Sequence, residues 1–283
     1  MDKEFDIDIK KIIKVANEYF SKKGRTEKFI KLEDTIIASK DAEYICDFAK
    51  KVEGADIEKL TDAIIATKDT DFIYYFALGV KGADISRLTD ALIKSKDADF
   101  IDSYAKCVYD FAKNIKGADI EKLTDAIIDT KVIGCIYDFA RFIKGANINK
   151  LTDAIIAAKK AYYIYYFAFI KGADVSKLTN ALIATKNAEY IFWFAKDVEG
   201  ADKDKLTNAL IATKDAHYIC RFAEEVEGVD IDKLLDAIVA KKNMKQADLE
   251  KLEQALKEIK REKSSRENID VDKEMDDILE SLN

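Results

Sequence analysis

Between Gly54 and Gly82 the apolar residues fall into two runs at helical spacing. Ile57, Leu60, Ala63 and Ile64 lie three and four residues apart, which puts them on one face of a first helix. Phe72, Ile73, Phe76, Ala77 and Val80 do the same for a second. Asp56 precedes the first run and Asp69 the second. Each carries a short carboxylate that can accept the free N–H groups of a first turn, so each is expected to cap a helix. The first helix is expected to end near Lys68, whose cation suits the carboxyl end of a helix dipole. Gly82 is expected to stop the second by entering the left-handed region. One such unit is a helical hairpin, helix A followed by helix B.

The hairpin recurs. GADIEKLTDAIIATK from Gly54 returns as GADISRLTDALIKSK from Gly82 and GADIEKLTDAIIDTK from Gly117, and persists to GVDIDKLLDAIVAKK from Gly228. The glycines at 54, 82, 117, 145, 172, 200 and 228 are 28 residues apart except at two intervals, one of 35 and one of 27. Seven extra residues around Ile101 to Lys106 are close to two helical turns, so helix B there is expected to lengthen without turning its apolar face out of register. In KKAYYIYYFAFIKG helix B loses a residue near Phe169 and Ile170. A third departure, VIGC at Val132 to Cys135, lacks the capping Asp or Asn. All three fall between Ile101 and Ile170.

Periodicity of this kind marks a chain in which each unit buries its apolar face only against its neighbours, and one continuous body is expected. Residues 1–25 read as an N-terminal capping helix, with Ile9, Ile12, Ile13, Ala16 and Phe20 on an amphipathic pattern that begins at Phe5. Residues 26–242 form the repeat. Residues 243–283 read as charged C-terminal helices: Leu249, Leu252, Leu256 and Ile259 suit either a capping helix or a short coiled-coil seam. After SSREN, a last stripe of Val271, Met275, Ile278, Leu279 and Leu282 is read as docking on the chain itself, with a partner as the alternative.

These hairpins resemble the HEAT-like helical-repeat proteins over roughly Thr26 to Lys242. The expected fold is therefore all-α, a right-handed α-solenoid of about eight helical hairpins. The resemblance implies a curved rod that presents an extended surface to another macromolecule.

Composition narrows the class. Proline is absent, so nothing interrupts long helices. With 47 basic and 54 acidic residues the formal charge is −7, which argues against a dedicated nucleic-acid groove and direct nucleic-acid binding. No apolar run is long enough to span a bilayer, and MDKEFDIDIKK is not a leader peptide, so a cytoplasmic protein with no membrane association is expected. Abundant Lys, Ile, Asp and Tyr point to an AT-rich bacterial or phage source. Cys46, Cys107, Cys135 and Cys220 occur singly, without the paired spacing of a zinc site, and are expected to be buried structural residues. No HExxH, CxxC, Walker-type loop or GxSxG is present. The lone histidine, His217, stands where other repeats have Glu43, Asp71 or Glu189 and reads as a surface variant. No cofactor, metal or catalytic residue is expected.

The candidate chemistry is a surface. If Ile73, Phe76, Ala77 and Val80 face the core, Tyr75 points nearly opposite. Its column along the chain is Asp47, Tyr75, Asp110, Asp138, Tyr166, Trp193 and Arg221, with Leu78, Phe142 and Phe169 at adjacent outward positions. Exposed apolar and aromatic side chains mark interaction sites, so Tyr75, Leu78, Phe142, Tyr166, Phe169 and Trp193 are the candidate partner-binding residues. The alternatives are an unseen layer that makes them core, or a homodimer that buries them. Cys46, Tyr74, Tyr109, Tyr137, Tyr165, Phe192 and Cys220 flank the core stripe and read as an inter-repeat stack. On helix A, Asp62, Asp90, Asp125, Asp153, Asn180, Asn208 and Asp236 follow Lys59, Arg87, Lys122, Lys150, Lys177, Lys205 and Lys233 by three residues, as intrahelical pairs on a solvated face. The expected function is a non-catalytic protein-binding scaffold that recognises or occludes a macromolecule. The alternative is a phage or mobile-element inhibitor that blocks a nucleic-acid-handling bacterial immune effector. A HEAT-like glycosylase would need a basic groove and a singular acidic residue, and neither is visible.

Overall fold

A computed structural model describes residues 9–239, 250 and 253–265. The chain divides into two compact units, Met1–Leu151 and Thr152–Asn283. Among the described residues the fold is all-α, a solenoid of helical hairpins. The first unit holds α1 (Ile9–Lys23), α2 (Glu27–Ser39), α3 (Ala42–Lys51), α4 (Ile57–Thr67), α5 (Thr70–Gly79), α6 (Ile85–Lys94), α7 (Ile101–Asn114), α8 (Ile120–Thr130) and α9 (Ile133–Phe142), and α10 (Ile148–Ala157) spans the boundary. The second holds α11 (Ala161–Phe167), α12 (Val175–Thr185), α13 (Ala188–Asp197), α14 (Lys203–Thr213), α15 (Ala216–Glu225) and α16 (Ile231–Val239), followed by a helix α17 over 253–265.

Helices pack in two layers. A helices touch A helices of the next hairpin, as α4 on α6 and α12 on α14, and B helices touch B helices, as α5 on α7 and α13 on α15. Between the layers lie the stripes that the spacing defines: Leu60, Ile64, Ile73 and Phe76 are fully buried, and Ala77 and Val80 nearly so, whereas Ile57, Ala63 and Phe72 are half-buried. One phenylalanine per hairpin recurs at the centre, as Phe48, Phe76, Phe111, Phe139, Phe167, Phe194 and Phe222, each without exposed surface.

The connections differ from the expected ones. Helix B does not end on its glycine. Val80, in extended conformation, closes α5 by donating its N–H to Phe76 O at 2.9 Å. Gly82, at φ 84°, then occupies the third position of a turn closed by Ala83 N–H to Val80 O at 3.3 Å, a position that requires positive φ. The left-handed cap belongs to helix A instead. Lys40, Lys68, Lys131, Lys159, Lys186 and Lys214 all have φ between 53° and 63°. Around Lys68, Thr67 Oγ1 donates to Ile64 O at 2.7 Å and accepts the Asp69 N–H at 3.3 Å, and Asp69 in turn accepts the Phe72 N–H at 3.1 Å. The phrase Thr-Lys-Asp is therefore one device that ends helix A and starts helix B.

The irregular repeats are absorbed locally. Only four of the seven extra residues enter helix B, α7 having 14 residues against the 10 of α5, and the others lengthen the loop before it. In the short repeat α11 stops at Phe167, and three successive bonds to the third residue back, from Ala168, Phe169 and Ile170, take up the deletion. At Val132 the side-chain cap is lost but α9 still forms.

Both ends are closed by latches. Asn17 of α1 donates to Lys51 O at 2.9 Å and accepts the Glu53 N–H at 2.8 Å, and Phe20 packs on Phe29 at 5.5 Å. In the second unit Leu256 of α17 is fully buried, and Lys260 pairs with Asp232 of α16, which ties α17 to α16. Phe5, Leu249, Leu252 and the stripe from Val271 to Leu282 lie outside the described residues. Cys46 and Cys107 are buried, but Cys135 and Cys220 are only half-buried, a correction to the expectation for all four.

Candidate protein-binding surface

The hairpin core is complete without the outward column of helix B. In the first unit Tyr75 and Leu78 of α5 are 53% and 52% exposed and Phe142 of α9 is 53% exposed. Tyr75 leans on Tyr74 and Phe72 at ring distances of 5.4 and 6.1 Å. Tyr74 accepts a hydrogen bond from Asn114 of α7 at 2.9 Å, which holds this ring between successive B helices. Phe142 is bordered by cations: Arg141 lies 5.0 Å from its ring and Lys113 of α7 5.9 Å, with Lys113 also 5.3 Å from the ring of Tyr109.

The second unit carries a denser array. Tyr166 and Phe169 are exposed, and so is Tyr162, whose ring lies 4.6 Å from that of Tyr166. Tyr165 stands edge-on to Phe169 at 5.3 Å and reaches Tyr190 of α13 at 5.9 Å. Its hydroxyl donates to Asp197 at 2.7 Å, and burial, then that bond, push its pKa well above the usual phenol range. The shortened end of α11 keeps Phe169 beside Tyr165 and Tyr166 despite the missing residue.

Trp193 departs from this pattern. It is half-buried, and Arg221 of α15 lies 5.1 Å and Lys196 5.4 Å from its ring, while both cations pair with Glu225 at 2.7 and 2.6 Å. Fully buried Phe192 completes the cluster beneath the same guanidinium at 4.5 Å. The indole is thus clasped by its neighbours and is not an open anchor. Asp47, Asp110 and Arg221, in the same column, are likewise half-buried. The flanking column makes ring contacts between successive hairpins: Tyr165 meets Tyr190 and Phe192 meets Tyr218, each an earlier position in the next hairpin.

Among the described residues two further aromatics are exposed that are not among the candidates. Tyr162 occupies the position that is Asp71 or Glu189 in other repeats, so aligning the repeats would have exposed it. Phe100, 67% exposed, lies in the inserted loop and has no counterpart from which its direction could be read. It borders an open cleft of about 640 Å³ lined by Lys68, Asp71, Lys94, Lys96 and Tyr104 among others.

The helix A ladder pairs differently from its spacing. Lys59, Arg87, Lys122, Lys150 and Lys177 bond Asp34, Asp62, Asp90, Asp125 and Asp153 of the preceding hairpin, the last three at 2.6, 2.7 and 3.1 Å. Where the preceding residue is Asn180 or Asn208 the ladder changes partner: Lys205 turns to its own cap Asp202 and Lys233 to Asp204. Apart from Lys205–Asp202, these bonds tie repeats together instead of supporting single helices. His217 is exposed and rests on Tyr218 at 5.0 Å. Among the described residues no cluster of three or more His, Cys, Asp or Glu is placed to hold a metal ion, and no helix is long and apolar enough to cross a membrane.

No protein-family model and no curated protein matches the chain. Among solved structures it is similar to the crystal structure of a de novo designed helical repeat protein, at 12% identity over 91% of this chain and 93% of that one, with a TM-score of 0.14. That score is too low to carry any argument, and the fold stands on the helices and layers described above.

Proposed function

We propose that the chain is a non-catalytic protein-binding scaffold, using the HEAT-like hairpin as a support for an extended surface. One observation carries the reading: the fold accepts Asp110 and Asp138 where α5 and α11 place Tyr75 and Tyr166. Asp138 is exposed and Asp110 half-buried, so packing at these equivalent positions does not demand an aromatic side chain. Five of the six candidate residues nonetheless present large apolar side chains to solvent, which is unfavourable unless something covers them. Each hairpin is already filled by its central phenylalanine, so no further layer of this chain is needed to complete the core.

The alternative reading, an inhibitor that imitates a nucleic-acid backbone to block an immune effector, depends on an acidic ridge. Among the described residues the aspartates of helix A form such a ridge, and each is matched by a lysine or arginine of the next hairpin from Asp34 to Asp153. A neutralised ladder is a poor mimic, and recognition through apolar anchors is favoured.

The test is site-specific photocrosslinking in the native host, with a photoreactive phenylalanine analogue at position 142 or 169 and, as control, at position 62 on helix A. A discrete protein adduct at 142 or 169 that is absent at 62 is expected. Adducts only with a second copy of the chain would assign the surface to a homodimer and overturn the scaffold reading, as would adducts with nucleic acid.

A further inference from the structure

In the first unit a set of cations gathers where the B helices end. Lys50 of α3, Lys113 of α7 and Arg141 of α9 lie in last turns, and Lys81, Lys116 and Lys144 follow α5, α7 and α9 in the turns before each glycine. All six are exposed, and among the described residues none has a carboxylate at ion-pair distance, in contrast to the cations of helix A. They are interleaved with the exposed apolar residues. Lys50 stretches across Gly79, where a side chain would meet its Nζ at 2.9 Å, beside Leu78. Lys113 and Arg141 flank the ring of Phe142 at 5.9 and 5.0 Å.

Cations at carboxyl ends of helices also relieve the helix dipole, which would give them a purely local role. The repeat argues against that as the whole account. At the position of Lys81, Lys116 and Lys144 other repeats carry Glu53, Glu199 and Glu227, so the turn tolerates the opposite charge. Lys81 and Lys144 follow the helices that expose Leu78 and Phe142, and Lys116 follows α7, which lies between those two helices in chain order.

We infer that this face of the first unit docks an acidic segment of a partner protein that also carries bulky apolar side chains. The carboxylates would meet the unpaired ammonium and guanidinium groups, and the apolar side chains would cover Tyr75, Leu78 and Phe142. Complementary charge of this kind guides encounter and fixes register, while the apolar anchors hold the complex. Nucleic acid is the less suitable occupant, because it carries a charge on every nucleotide and would set phosphates against Asp110 and Asp138, one helical turn before Lys113 and Arg141, whereas a peptide can place carboxylates at the cations and apolar side chains elsewhere. The inference rests on the protein-binding reading above and gives that partner its chemistry.

The full chain, immobilised, is offered two displayed pools of short peptides, one drawn from Asp, Glu, Leu, Phe and Gly and the other from Lys, Arg, Leu, Phe and Gly, with labelled oligo-dT as a third probe. Retention of the acidic pool at least about tenfold above the basic pool is expected at low salt, falling to parity in the variant Lys113→Glu/Arg141→Glu/Lys144→Glu. Phe142→Ser should weaken retention of the acidic pool while leaving thermal unfolding unchanged, which separates docking from folding. Equal retention of the two pools, acidic-pool binding that survives the triple reversal in a folded variant, or oligo-dT held more tightly than peptide would each overturn the inference. A protein adduct at position 169 of the second unit alongside any of those results would leave the scaffold reading standing and remove this one.

Discussion

Glu33 stands where six later repeats carry a threonine: Thr61, Thr89, Thr124, Thr152, Thr179 and Thr207. The threonines are buried, and Thr61 and Thr89, for example, donate to the carbonyl four residues back at 2.6 and 2.7 Å. Glu33 is just as buried but charged, and its carboxylate is held by Arg25 at 2.6 Å and by the Asp56 N–H at 2.7 Å. Arg25 also donates to Gly54 O at 2.7 Å, so the pair fastens the entry to α2 to the next hairpin. Arg25→Ala leaves a buried carboxylate short of its partner and should cost about 1.5–3 kcal/mol in urea unfolding. Adding Glu33→Thr should recover most of that loss, since it installs the residue the repeat otherwise uses. Additive losses in the double variant would show that the pair does not act as a unit. A second residue-scale effect is a pH dependence. Burial pushes the Cys46 thiol up to about 11 and the Cys107 thiol up to about 12, against an ordinary value of 9.0. The folded chain therefore holds those protons more tightly than the unfolded chain. Their contribution is fully present below about pH 9 and is lost as pH rises through the folded values. Cys46→Ala/Cys107→Ala should flatten the fall in urea midpoint between about pH 9 and 11 relative to the parent chain, and an unchanged slope would remove the thiols as its cause.

At the scale of the element, most of each hairpin was legible because helical spacing and capping chemistry are local. Asp41, Asp56 and Asp69 cap as their positions suggest, each accepting a first-turn N–H at 3.0 to 3.1 Å. The left-handed lysines were not legible, because nothing about a lysine announces positive φ and the neighbouring glycines offered themselves for that role. The Ser/Thr-Lys-Asp/Asn phrase brackets the strained residue at Ser39, Thr67, Thr185 and Thr213, but Ser95-Lys96-Asp97 carries it without a left-handed lysine and Lys131 and Lys159 are left-handed without it, so the phrase does not give the conformation away. Lys68→Gly should therefore stabilise the chain by up to about 1 kcal/mol, since an L-residue in that region is strained and glycine is not. The departures give the complementary test. α9 starts at Val132 without a side-chain acceptor, although its backbone there (φ −78°, ψ 92°) matches that of capped helices. Val132→Asp should add roughly 0.5–1 kcal/mol, read as a rise in urea midpoint, and a fall would show that the valine is held by packing that outweighs a cap.

For the whole molecule, the question is how a chain with so regular a core comes to carry irregular surface. Repetition fixes the buried positions, because each must match the same position in the next hairpin, and those were readable from any one repeat. It leaves the outward positions free, so their character changes from Asp47 to Tyr75 to Asp138 to Tyr166 without disturbing the stack. The helical wheel gives the exposure of Tyr75, Asp138 and Tyr166, but not of Asp47, Asp110, Trp193 and Arg221, which are half-buried. Trp193 is covered by Arg221 and Lys196, which come from the next hairpin and from its own last turn, and a single-helix projection has no term for either. The ladder of helix A was misassigned for the same reason: spacing along one helix favours the partner three residues away, whereas stacking brings the preceding hairpin closer. Two kinds of phenylalanine should therefore respond in opposite ways. Phe139, with no exposed surface, should cost about 3–5 kcal/mol when changed to alanine. Phe142→Ser combined with Phe169→Ser, three residues and one repeat away in pattern but outside the core, should leave the urea midpoint within about 0.5 kcal/mol of the parent. If the surface pair proved as costly as Phe139, the exposed aromatics would be part of the fold, and a partner would no longer be needed to account for them.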